Sequence, residues 1–348
     1  MKLAIIIILF GVLFTSVLFE GTKYSKKAFL VWGILLILYA CIADKSELPD
    51  YTQYVNLFLT EGSIIIEPTF LFIKFIVKSV SEDNLFLFFG IYLLLGCSLK
   101  YLAFKQLTYL PILTLALYIS SYFIYHEMIQ IRVGVASALL LLSIRPLYER
   151  NLKKFLLCVV IAILFHTSAL AMLPLWFVNP FKKQRRLYFL LILISMILYV
   201  LRVDIVRMLE YIPIPYIQEK IIGYSDITIE AMDRGVLTVE EYNPFCTWYM
   251  FKLCVLVFLW MTINRISKFN PYAILMLKIF TIGMACYWLF ASVPTFATRC
   301  SELLSVVQVV LIPMTVYLQR RNRLIAYIPT VFICLVWLFW NVSSFDIL

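Results

Sequence analysis

Two arginines stand where long apolar runs begin. Arg132 is the second residue of IRVGVASALLLL, and Arg299 opens RCSELLSVVQVVLIP, with Glu302 one turn further on. A guanidinium carries five donors in a planar fork, a geometry suited to gripping a phosphate or diphosphate by paired charge-assisted hydrogen bonds. Ionisable groups placed this way in apolar sequence are costly and usually line cavities. The competing reading for either residue is a side chain that snorkels to an interface or closes an intramembrane ion pair. Two arginines with acids beside them favour an anion site.

Other side chains capable of chemistry lie beside Arg132 and elsewhere in the chain. His126, Glu127 and Gln130 immediately precede Arg132. Asp50 and Tyr54 lie in DYTQY, and Glu67 precedes Pro68. A carboxylate beside a hydroxyl can serve as general base, and Asp50, Glu67, Glu127 and Glu302 are all candidates. Tyrosines with carboxylates suit sugar hydroxyls and pyranose faces, although tyrosine is also common at membrane interfaces. Lys252 lies inside an apolar run within reach of a phosphate, whereas Lys278 points toward the opposite interface. His166 lies deep in another run, where it can act as a base or bond a backbone group at a helix break.

The elements that must position these residues are membrane helices. The 348-residue chain is 63% hydrophobic and 14% charged, with a mean hydropathy of +0.94, which excludes an ordinary soluble domain. A spanning helix needs about 17–25 predominantly apolar residues. Such runs fall near 3–19, 28–43, 85–104, 108–125, 129–145, 187–202, 244–263, 271–290, 301–318 and 324–341. The first run resembles a signal peptide but has no evident small-residue cleavage site, so it counts as a span.

Charge sorts between the connectors. Lys23/Lys26/Lys27, Lys100/Lys105, Arg145/Arg150/Lys153/Lys154, Lys182/Lys183/Arg185/Arg186, Arg265/Lys268 and Arg320/Arg321/Arg323 hold 18 of the 30 Lys and Arg residues. Only two acids, Glu20 and Glu149, accompany them. Cytoplasmic loops carry the Lys/Arg excess, so these connectors face the cytoplasm and the acidic, chemically furnished segments face outward. Parity then places 44–84 outside, with Phe70–Val77 as an amphipathic helix on that surface. It also makes 155–178 a re-entrant hairpin broken near His166, because both its flanks are basic. The largest external loop is 203–243. The expected fold is therefore all-α: one integral membrane domain over 1–348, a polytopic bundle of about ten full spans with an outer amphipathic helix and a re-entrant hairpin.

Several classes fall away. The net charge of +10 is strung between spans, where anionic lipid headgroups explain it and nucleic acid does not. The eight cysteines lack metal-ligand spacing and read as small buried hydrophobes. No Asp-x-Asp metal motif and no Gly-rich phosphate loop occurs, so neither a metal nor a cofactor is expected.

In order along the chain, Asp50-x-x-x-Tyr54, Glu67-Pro68, Ile131-Arg132-x-x-x-Ala136, Ile161-Ala162-x-x-Phe165-His166-x-Ser168-Ala169 and Arg299 in the penultimate helix resemble the EpsG-type branch of the Wzy polysaccharide polymerases. The resemblance runs from about 28 to 320 and is most specific over 129–178. Members more often carry Gln after the arginine; Val133 stands there, so any role of that amide is lost. The resemblance implies a bacterial cytoplasmic-membrane glycosyltransferase whose site faces the periplasm or exterior. Such an enzyme polymerises undecaprenyl-diphosphate-linked repeat units into O-antigen, capsule or exopolysaccharide. Its partners would be the lipid-linked donor and acceptor glycans, membrane lipids, a flippase and a chain-length regulator. Arg132 and Arg299 would hold the departing diphosphate without a metal. Asp50, Glu302, Glu127 and His166 would share the catalytic work, and Tyr54, His126, Glu67, Gln130 and Lys252 would contact substrate. A lipid-linked glycan flippase, an O-antigen ligase and a membrane acyltransferase centred on His166 are the rival classes.

Overall fold

A computed structural model describes residues 2–60, 67–81, 84–206, 243–319 and 322–344. Among these the secondary structure is helical throughout, as the long Leu/Ile/Phe runs dictate once backbone groups must be satisfied within each segment. Most of the 203–243 loop lies outside the described residues.

The chain opens with α1 (Lys2–Phe19) and α2 (Ser25–Ile42), joined by a turn in which Gly21 takes the left-handed conformation. Two short helices follow, α3 (Tyr51–Leu59) and α4 (Pro68–Val80), the latter covering the short amphipathic run. Lys74 of α4 donates to the Leu57 and Thr60 carbonyls at the end of α3 (3.0 and 2.6 Å), which ties the two helices together. Next come α5 (Leu85–Leu107), α6 (Pro111–Ser121) and α7 (Ile131–Tyr148). Between α6 and α7 the residues Tyr125–Ile129 form a π-helical turn. Such single-turn π segments are frequent at functional sites.

Helix α8 (Leu152–Phe165) stops at His166, and Thr167–Phe177 continues as 3-10 helix. That stretch returns beside α8: Arg150 donates to the Trp176 carbonyl at 2.5 Å, and the Trp176 and Phe155 rings meet at 5.7 Å. The remainder is α9 (Arg185–Val200), α10 (Thr247–Ile266), α11 (Ala273–Leu289), α12 (Pro294–Ser305), the single turn α13 (Gln308–Leu311) and α14 (Arg323–Ser344). The pairs α5/α7, α7/α8 and α11/α12 pack most extensively. Large apolar side chains on the outer surface, among them Phe14, Phe75, Phe86, Leu157, Met261 and Phe339, are more than half exposed. Such a surface belongs in lipid.

The protein is a polytopic all-α membrane bundle. Six helices among the described residues are long and apolar enough to span: Ser25–Ile42, Leu85–Leu107, Ile131–Tyr148, Thr247–Ile266, Pro294–Leu318 and Leu324–Ser343. The stretches Leu3–Phe19, Pro111–Ser121 and Ala273–Leu289 are shorter apolar helices. The run expected as one span near 301–318 begins earlier, at Pro294, and is interrupted after Ser305 and again at Ile312, where 3-10 geometry takes over beside Pro313. Arg299 therefore sits more than a turn inside its helix.

Lys100 is no connector charge. It is 2% exposed within α5 and pairs with Glu127. The two acids in the basic connectors are both bonded. Glu149 pairs with Arg145 one turn back at 2.6 Å. Buried Glu20 accepts the Leu113 amide at 2.8 Å, neutralising a free donor at the start of α6. Lys278 is held by the Asn179 and Lys182 carbonyls and by Gln184 Oε1, which seats it against one of the basic connectors.

Candidate active site

Helix α3 lies across both arginines. Asp50, in left-handed conformation at the helix start, brings Oδ2 to 3.4 Å from the Arg299 guanidinium. These two side chains are 27% and 19% exposed, so they form the accessible part of the site. One turn later the buried Tyr54 ring lies 5.4 Å from the Arg132 guanidinium carbon, with the Phe70 ring at 5.7 Å on α4. Cation–π contacts of this kind strengthen when desolvated. Residues 249 positions apart in the chain thus meet through one short helix.

Arg132 also donates to Glu67 Oε2, while its Nε has no hydrogen-bond partner. Glu67 is 1% exposed and takes a second bond on Oε1 from Thr167 Oγ1 at 3.1 Å. Thr69 donates to the Leu164 carbonyl at 2.6 Å. The tip of the α8 turn is therefore fastened to the start of α4, and through Glu67 to Arg132. At that tip His166 closes the break itself: its Nδ1 lies 2.8 Å from Ser168 Oγ and 3.2 Å from the Ser168 amide, which donates to it.

Glu127 faces the other way. Its Oε1 accepts from Lys100 at 2.6 Å and from the Tyr118 hydroxyl at 2.5 Å, and Lys100 also donates to the Gly134 carbonyl at 2.7 Å. Two glycines make this cluster possible. A Cβ at Gly96 would overlap the Glu127 carboxylate, and one at Gly134 would overlap the His126 carbonyl oxygen. The small residue at 134 thus admits its own preceding π-helical turn.

His126 is fully buried, stacked on Tyr122 at 4.7 Å, with Nδ1 3.2 Å from Ser137 Oγ. Gln130, at the end of the same turn, lies close to the side chain of Glu302. Glu302 lies within electrostatic reach of Arg299 and of Lys252. The Lys252 ammonium is buried 4.8 Å from the Tyr249 ring and 5.0 Å from the Trp248 ring.

One family model matches this chain, described as the EpsG family and covering residues 28–347. The protein belongs to the EpsG family. No curated protein and no solved structure matches it. The matched region contains every site residue described above.

In this EpsG-family chain Asp50 contacts Arg299, Tyr54 and Glu67 contact Arg132, the two sets lie about one turn apart on α3, and Glu302 lies within electrostatic reach of Arg299 and Lys252. The fold sets Glu127 apart, committed to Lys100 and Tyr118, and keeps His166 at the helix break, one residue from Thr167. Sequence reading missed Thr167, Lys100 and Tyr118. Thr167 stood inside the quoted IAxxFHxSA motif, and nothing local marked it as a partner for a carboxylate a hundred residues earlier. Among the described residues no group of three or more His, Cys, Asp or Glu side chains stands close enough to hold a metal ion. Beyond the end of α2, Asp44 accepts the Ser46 amide at 2.9 Å, which holds its carboxyl below the usual range, while burial lowers neighbouring Lys45.

Proposed function

We propose that this protein is a membrane glycosyltransferase that joins undecaprenyl-diphosphate-linked oligosaccharide repeat units into polymer at the outer face of the bacterial cytoplasmic membrane. One observation carries the reading: two guanidinium groups, each with a carboxylate partner, are held against the same short helix, and the Arg299–Asp50 pair is partly exposed. Arg132 retains an unpartnered Nε donor, and the Arg299–Asp50 contact is long, so both can turn toward an incoming dianion. Family membership and the lipid-facing bundle support the class of reaction.

The chemistry follows from charge. When the glycosidic C1–O bond of the lipid-linked donor breaks, negative charge builds on the departing diphosphate. Preorganised cations in a low-dielectric site stabilise that charge without reorganisation. Lys252 adds a further cation beside Glu302. The reaction needs no metal in this reading, since guanidinium forks do the work divalent ions do elsewhere. The basic connectors face the cytoplasm, the acidic segments face outward, and 155–178 enters and leaves from the cytoplasmic side. The return of Trp176 to Arg150 supports that path.

The length distribution of surface polysaccharide in a deletion strain tests the proposal. Surface glycan reduced to single repeat units supports a polymerase. Complete absence of surface glycan points to a flippase or ligase, and an unchanged length distribution contradicts the reading.

A further inference from the structure

A cavity of about 280 Å³ opens between α2, α5 and α6, and neither arginine lines it. Phe29, Gly33 and Ile37 border it from α2, Ser98 and Tyr101 from α5, and Tyr118 from α6. Its lip is open: Leu30, Ile34 and Leu102 are about half exposed, and a Cβ built on Gly33 meets nothing within 4 Å. The polar ends of Tyr118 and of Lys100, which also lines it, are spent on Glu127. What remains is an apolar groove. Such a recess stays dry and gains dispersion contacts from a hydrocarbon chain. From Leu30 to Ile37 it follows α2 for about 10 Å, at 1.5 Å per residue.

One end of this groove is basic. Phe29 stacks on Tyr101 at 4.7 Å, and further on Cys41 and Leu93 border one recess, so α2 and α5 run antiparallel. Lys26, Lys27 and Lys105 stand one helical turn beyond Phe29, Leu30 and Tyr101 respectively. That spacing puts all three lysines on the stripes that line the groove, just past its end. All three are exposed, and none pairs with an acid among the described residues. The acid nearest in sequence, Glu20, is buried and accepts from Ser25 Oγ at 3.0 Å and from the Leu113 amide at 2.8 Å. The complementary ligand carries negative charge at one end and an apolar chain at the other. A second apolar helix laid on this face would leave the lysines unmatched.

We propose that this groove binds one acidic phospholipid of the leaflet that the basic connectors face, with its phosphate among Lys26, Lys27 and Lys105 and one acyl chain along Gly33. The site goes beyond the polymerase reading and stands without it. Lipid-linked glycans belong to the opposite face, since Asp50 and its partner Arg299 follow the other end of α2. The lysines select the charge of the headgroup, and the groove holds the chain by burying apolar surface. That chain packs on Tyr118, whose hydroxyl bonds Glu127, and so braces the buried Lys100–Glu127 pair.

Full-length protein in detergent is titrated with dioleoylphosphatidylglycerol, dioleoylphosphatidylcholine or undecaprenyl phosphate, and the lipids retained per chain are counted by native mass spectrometry. Wild type should hold one phosphatidylglycerol tightly and bind phosphatidylcholine at least about tenfold more weakly. A lysine beside an anionic lipid is worth about fivefold in affinity, so the triple variant Lys26→Gln/Lys27→Gln/Lys105→Gln should bind phosphatidylglycerol about a hundredfold more weakly. Gly33→Leu keeps every charge but fills the groove, and it should remove the tight site as well. Melting temperature without lipid shows whether each variant folds; if Gly33→Leu does not, Ser98→Leu across the groove decides. A folded groove variant that binds phosphatidylglycerol with wild-type affinity overturns the proposal, because surface charge alone then explains the binding. Equal retention of the two phospholipids overturns it, as does tighter binding of undecaprenyl phosphate that Gly33→Leu abolishes. A dimer that Gly33→Leu dissociates would give the groove to a second copy of the chain and overturn it also.

Discussion

In Glu127→Ala the Lys100 ammonium keeps one hydrogen-bond partner, the Gly134 carbonyl at 2.7 Å, in surroundings where the side chain is 2% exposed. The same substitution strands the Tyr118 hydroxyl, which had shared Glu127 Oε1 at 2.5 Å. Breaking a buried ion pair from one side costs about 3–5 kcal/mol, because an uncompensated charge is left behind. An orphaned buried hydroxyl costs about 1–3 kcal/mol. The two losses share one oxygen and do not add, so about 3–5 kcal/mol is the expected destabilisation. Glu127→Gln keeps the shape and a carbonyl acceptor and should lose less. Pairing it with Lys100→Met removes the stranded charge and should recover part of the loss. Unfolding of the purified variants in nanodiscs, followed by tryptophan fluorescence, measures all four corners of this cycle. The reasoning is refuted if Glu127→Ala keeps wild-type stability and abundance yet makes no polymer, for then the carboxylate acts in chemistry. It is also refuted if the double variant is no more stable than Glu127→Gln.

Arg132→Lys and Arg299→Lys keep the charge but lose the planar fork; each should insert normally and lower the polymerisation rate by about a hundred- to a thousandfold, read from glycan ladders normalised to protein abundance. Thr167→Val removes one bond from Glu67 and loosens its hold on Arg132, so the rate should fall while Thr167→Ser restores it; equal rates in both variants would show that the tip does not position Arg132. A reporter active only outside the cytoplasm should be silent when fused near Arg150 or Lys183 and active near Glu47. Activity near Lys183 would replace the re-entrant path of 155–178 with a continuous span.

Class and secondary structure were legible because they depend on local composition. The apolar runs became helices, the short run near Phe70 became α4, and the polar break at His166 became the end of α8. Both arginines were visible because charge inside apolar sequence is rare. Their partners were not, since Glu67–Arg132 and Asp50–Arg299 close over 65 and 249 residues, and nothing within a turn of either residue specifies the other. Lys100 misled for a related reason: three residues past Cys97 it looks like the start of a basic connector, but Glu127 draws it into the bundle. Arg299 seemed to head its helix because the apolar run starts there, whereas Pro294, with its fixed φ and missing N–H, sets the first turn. The division of labour among the carboxylates depended on which oxygens already have donors, a property of the assembled fold.

The account turns on release of one lipid diphosphate for each sugar linkage formed. Purified protein reconstituted with lipid-linked repeat units should yield a ladder of lengthening lipid-linked glycans and one undecaprenyl diphosphate per new glycosidic bond, with both products lost together in Arg132→Lys and Arg299→Lys. Movement of repeat units across the bilayer without lengthening, or lengthening that leaves undecaprenyl diphosphate unreleased, would contradict it.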